Sequence, residues 1–88
     1  MTKRILGTIT ILTTDRQSSS ATMNQLLTEY GHNIAARLGV NVERKCVEHC
    51  PGIISLVMES ERAQAEELTK KLNEIPEIKA ELCVMSEE

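Results

Sequence analysis

Hydrophobic residues recur along this 88-residue chain with two different periods, and the order of those periods limits the fold more than any other feature. Residues 4–13 alternate: Ile5, Gly7, Ile9 and Ile11 share one face, and Leu6, Thr8, Thr10 and Leu12 share the other. Period two with β-branched side chains predicts a strand. Met23, Leu26, Leu27 and Tyr30 then fall at i, i+3, i+4 and i+7, the stripe of an amphipathic helix. Asp15 is placed to cap its start, the Ser18–Ser20 run to form an exposed first turn, and Gly31 to end it.

Ile34 fits both periods. Ile34, Ala36, Leu38, Val40 and Val42 alternate five times, which predicts a second strand over about 33–42. Residues 43–52 are polar, end in Pro-Gly and read as a connection. A third strand is expected from Ile53 to Glu59. Ser60 then caps a second helix, with Glu61 in its first turn and Lys70 and Lys71 in its last. Ala65, Leu68, Leu72 and Ile75 make its buried stripe, and Pro76 closes it. A fourth strand runs from about Ile78 to Met85, with Ile78, Ala80, Leu82 and Val84 on one face.

Strand, helix, strand, strand, helix, strand is the βαββαβ order of an α+β ferredoxin-like fold, a four-stranded antiparallel sheet with two helices on one face. It uses residues 1–88 as one domain, which the length also suggests. The core must be built almost without aromatics, since Tyr30 stands alone and there is no Phe or Trp. A chain of this size buries only a little above about 60% of its unfolded surface, so association with a second copy is an expected source of further burial.

Two faces of the sheet separate in the sequence. One takes Ile5, Ile9 and Ile11, then Ile34, Ala36 and Leu38, then Ile54, Leu56 and Met58, then Ile78 to Val84. The other keeps Leu6, Leu12, Ile53, Val57, Cys83 and Met85 among hydroxyls and charges, with Arg37 pointing the same way. That is more apolar surface than a solvated sheet face usually carries. It predicts a homo-oligomer packed through this face or through the sheet edges.

The net charge is −3, split between +3 over residues 1–45 and −6 over residues 46–88. No dense basic stripe and only one stackable aromatic argue against direct nucleic-acid binding. Threonines break the apolar start, and no run approaches a membrane span. Three cysteines without a secretory pattern suggest reduced thiols and a cytoplasmic protein.

Chemistry-bearing residues are few. Cys46, His49 and Cys50 are the densest soft-ligand cluster and would suit a transition metal, with Glu48, water or another subunit completing the shell. A polar loop that happens to hold two cysteines is the alternative, and the CxxxC spacing does not favour thiol redox work. His32 and His49 are available as bases, but no nucleophile stands in a recognisable elbow beside either. Arg37 could hold an anion or be ion-paired. The scattered glycines make no phosphate loop. The sequence reads as a non-enzyme.

Several stretches resemble a known family. They are Ile9-Thr10-Ile11-Leu12 with Asp15-Arg16, Met23 to Leu27, Ile34 with Arg37-Leu38-Gly39-Val40, Ile53 to Glu59, and Leu68 to Ile78. Together they resemble the small regulators of the iron-only hydrogenase system, over most of residues 5–85. That family is similar in fold to ACT domains and to the sensing domain of nickel-responsive repressors. The resemblance implies a non-enzymatic ACT-like oligomer that senses a small molecule or metal between its subunits. Arg37, Gly39 and His32 are the candidate ligand residues, and the identity of any cofactor is left open. A metal-binding protein built on Cys46, His49 and Cys50 is the alternative reading.

Overall fold

The computed structural model describes residues 3–41 and 51–88. Four strands form one antiparallel sheet in the order β2-β3-β1-β4. They are β1 (Arg4–Thr13), β2 (Ile34–Asn41), β3 (Gly52–Glu61) and β4 (Ile78–Glu87). Helices α1 (Arg16–Glu29) and α2 (Arg62–Asn73) follow β1 and β3, and both cover the same sheet face. This is the expected α+β ferredoxin-like architecture. Among the described residues, no helix is long and apolar enough to cross a membrane.

β1 lies between β3 and β4 and sets the register of both. Ile5, Gly7, Ile9 and Ile11 stand opposite Ser60, Met58, Leu56 and Ile54, so the alternating residues of both strands fall on the helix face. Ile9, Ile11, Leu56, Met58, Leu68 and Leu72 are fully buried there. Each such side chain contributes about 1.5–3 kcal/mol of transfer free energy. Tyr30, Ile34, Ile75, Leu82 and Val84 pack around that centre and stay half-buried.

The helix ends follow local chemistry. Asp15 caps α1 as expected: its carboxylate accepts from the Ser18 amide at 3.3 Å. Ser19, expected on an exposed turn, is instead buried at 2% exposure. Its hydroxyl shares a 2.7 Å hydrogen bond with Thr13 and donates to the Asp15 carbonyl, which ties α1 to the end of β1. A short 3₁₀ turn, Gly31–Asn33, follows α1. Gly31 begins that turn without adopting a left-handed backbone, so it is not the C-terminal cap expected of it.

Ser60 does not cap α2. Strand β3 runs on through Glu61, which occupies the capping position with extended backbone and no side-chain bond. Ser60 is buried, and its hydroxyl donates to the Glu61 carbonyl. Glu61 therefore precedes the first turn, while Lys70 and Lys71 do occupy the last.

Two positions show where backbones come close. A register shift between Leu6 and Gly7 places a bulge in the β1–β4 pairing. A Cβ on Gly7 would fall on the Cys83 carbonyl oxygen, so only glycine fits there. Glu77, between Pro76 and β4, has φ 68°. Its carbonyl accepts from the Thr14 amide at 3.0 Å, and its carboxylate accepts from the Ser18 hydroxyl at 3.1 Å. The corner before β4 is thereby fastened to the corner before α1.

Candidate functional site

Strand β2 departs from the alternation read in the sequence. Ile34 pairs with Met58 and faces the helices, but Ala36 pairs with Val57. Two steps along β2 thus match one step along β3, a bulge at Ala35. Beyond it every side chain changes face. Ala36 and Leu38, expected against the helices, lie on the open face, with Leu38 67% exposed. Arg37 and Gly39, opposite Leu56 and Ile54, lie on the helix face.

The expected direction of Arg37 is therefore corrected. Its guanidinium reaches α1 and donates to the Asn24 side-chain oxygen at 2.9 Å. It helps line a cleft of about 280 Å³ with Leu27, Thr28, Gly31, Ile34 and Ala36. Asn24 carried no signal of this role, because the strand bulge that aims Arg37 at it shows only in the pairing. His32 is exposed in the 3₁₀ turn and does not line the cleft. Gly39 has open room around it, with the Ile54 side chain 3.7 Å from where a Cβ would stand. Cys46, His49 and Cys50 lie outside the described residues. Among the described residues, no group of three His, Cys, Asp or Glu is placed to hold a metal.

The open sheet face is the larger feature. Among the described residues, the large exposed hydrophobic ones are Leu6, Leu12, Leu38, Ile53, Val57 and Met85; the strand registers put the first five on this side of the sheet, and Met85, in the β4 bulge, keeps its sulfur beside that of Cys83 there. Ala36, Val57, Thr8 and Cys83 form one row across the four strands. Leu38, Ser55, Thr10 and Glu81 form the next, and Ile53, Leu12 and Lys79 continue the pattern. Charges sit at its ends. Arg4 donates to the Glu59 carbonyl at 3.3 Å, and Lys79 lies 3.8 Å from Glu81. Cys83 is exposed, with its sulfur 3.6 Å from that of Met85.

A second concavity lies between α2 and the outer edge of β4. It encloses about 510 Å³ and is lined by Arg62, Glu66, Lys70, Asn73, Leu82 and Val84, among others. Arg62 bonds Glu87 at 2.9 Å, and this contact holds the guanidinium pKa above its ordinary value.

Comparison with known proteins places the sequence in a family. The model of the TM1266-like family, described as "Iron-only hydrogenase system regulator, putative", matches residues 4–81. The chain belongs to that family. Among solved structures it is similar to uncharacterized protein TM1266 from Thermotoga maritima, with TM-score 0.83 and 23% identity. That alignment covers 94% of this chain and 99% of the other, and it shows a shared fold. A hydantoinase/carbamoylase family amidase from Burkholderia ambifaria aligns at TM-score 0.49 and 12% identity, over 28% of its own length, and carries no argument. No curated protein matches the sequence.

Proposed function

We propose that this chain is a non-catalytic regulatory protein of an iron-only hydrogenase system, assembled from copies packed through the open sheet face. The observation that carries this reading is the gathering of Leu6, Leu12, Leu38, Ile53, Val57 and Met85 on one side of the sheet. A solvated face would be mostly polar, and contiguous apolar surface rimmed by charge marks an association surface. The family description supplies the regulatory role.

In this reading, the ligand is a small anionic molecule received by Arg37 in the cleft beside α1, while His32 and Gly39 stand outside the cleft lining on the 3₁₀ turn and β2. Arg37 suits that task because its planar guanidinium can engage an oxyanion on the side away from Asn24.

Size-exclusion chromatography with light scattering tests the assembly. The wild type is expected above monomer mass at micromolar concentration, and Leu38→Lys is expected to lower that mass while keeping the circular dichroism spectrum. A wild-type monomer would sink the assembly. Thermal shift against a panel of carboxylate and phosphate metabolites tests the ligand, since a ligand of the native state raises the melting temperature. Failure of every anion to move it, or an equal shift for Arg37→Met, would sink the ligand site.

A further inference from the structure

β4 is an edge strand of ten residues, and one part of its outer edge is already occupied. The Asn73 carboxamide accepts from the Ala80 amide at 2.8 Å and donates to the Ala80 carbonyl at 3.0 Å. A side chain here completes the pairing that a neighbouring strand would supply. The contact also fixes the phase of the edge. Ala80 turns both backbone groups outward, so by alternation Leu82 and Val84 do too, while Glu81 and Cys83 turn toward β1. Leu82 and Val84 are half-buried on the wall of the 510 Å³ concavity beneath α2. The edge thus presents two outward residues beside a hollow, bounded by Asn73 on one side and by the Met85 bulge on the other.

We propose that β4 pairs antiparallel with β4 of a second copy about a two-fold axis at Cys83, joining two sheets edge to edge. This deepens the reading of the chain as an oligomer and rests on it. The occupant is a second copy because the open segment is self-complementary in one register. Centring the axis on Glu81 sets two like carboxylates against each other. Centring it on Leu82 pairs Ala80 with Val84 of the other copy, where Asn73 blocks the ladder. Centring it on Cys83 pairs Leu82 with Val84 twice and sets Ala80 against Ser86 of the other copy, so the ladder ends where Asn73 already caps Ala80. Glu81 then meets Met85, and no like charges are opposed. Two outward residues per copy make a short ladder, and the side chains over each concavity supply the remaining contact.

In this register the two Cys83 residues form a pair not hydrogen-bonded to each other, whose Cα atoms lie about 4.5 Å apart. That spacing is within the range a disulfide spans, about 4.4–6.8 Å. The proposal is tested in the Cys46→Ser/Cys50→Ser chain, whose remaining thiol is Cys83. Diamide, a diazene oxidant, takes two electrons and two protons from the thiol pair and becomes the hydrazine as the S–S bond forms. A band at twice the 9.8 kDa chain mass is expected on a non-reducing gel. Adding Leu82→Pro removes an outward amide without breaking the β1 ladder, and is expected to abolish the band while circular dichroism is unchanged.

No dimer band, or a band unaffected by Leu82→Pro, overturns the proposal. Where Leu82→Pro unfolds the chain, amide exchange at Leu82 and Val84 of the wild type decides. Protection supports the pairing, and exchange at unprotected rates overturns it. Leu38→Lys, on the far strand, separates the two surfaces. Loss of assembly with the Cys83 band retained sinks face packing alone as the origin of the band. An oligomer without the band leaves face packing standing and ends edge pairing.

Discussion

The carboxamide of Asn73 stands in for a strand at Ala80, meeting its amide at 2.8 Å and its carbonyl at 3.0 Å. The same amide nitrogen also reaches the Thr69 carbonyl at 3.1 Å, so one side chain ends α2 and seals part of the β4 edge. Asn73→Ala leaves these groups without their partner. It is expected to lower stability by about 1–3 kcal/mol, read as a shift in the urea midpoint at constant slope.

Gly7 marks the closest approach of β1 and β4. Its missing Cβ makes room for the Cys83 carbonyl, and that oxygen belongs to backbone that cannot rotate away. Gly7→Ala is expected to cost about 1–3 kcal/mol by forcing the strands apart. Thermal unfolding checks this, and Gly39→Ala, with 3.7 Å to its nearest neighbour, serves as the well-tolerated control.

Glu77 holds a left-handed backbone, φ 68°, although it is not glycine. Its carbonyl and carboxylate bonds to Thr14 and Ser18 keep it there. A β-branched side chain suits that conformation worst, and glycine meets no penalty. Glu77→Gly is expected to be more stable than Glu77→Val by about 1–3 kcal/mol in denaturant titration.

Acid sensitivity has a surface contribution at α2. Lys71 lies 3.2 Å from Glu67 and over the Tyr30 ring, 5.4 Å from its centroid. The hydrogen bond from Lys71, and then that from Tyr30, hold the Glu67 carboxyl below the ordinary value of 4.5. A carboxyl whose pKa falls on folding stabilises the fold above its unfolded value and loses that contribution as pH drops through the folded one. Stability is therefore expected to decline on acidification below about 4.5, less so in Glu67→Gln. High salt is expected to shrink the difference between the two chains, because this pair is exposed.

The two open sites differed in how legible they were. The open face was readable in Leu6, Leu12, Ile53, Val57 and Cys83, because β1, β3 and β4 alternate in phase from Gly7 to Thr13, and Met85 in the bulge keeps its sulfur beside that of Cys83. β2 was not. Ile34, Ala36 and Leu38 are all apolar at period two, so the sequence looks the same with or without a bulge at Ala35. The pairing with Met58 and then Val57 reveals the slip. It moves Leu38 to the open face and turns Arg37 toward Asn24. Ser19 and Ser60 misled for a related reason. Ser19 was expected on an exposed turn and Ser60 as a cap, and both are buried by packing that local preference does not register.

The sequence by itself determined the order of elements, the helix-facing core of β1, β3 and β4, and the family of the chain. Periodicity is a property of neighbours along the chain, and it survives without knowledge of partners. The tertiary structure alone decided which way Arg37 points, that Asn73 seals Ala80, and which two residues of β4 remain open at its edge. These depend on the register between strands and on a side chain seven residues from its partner, and register is fixed by the whole sheet acting together.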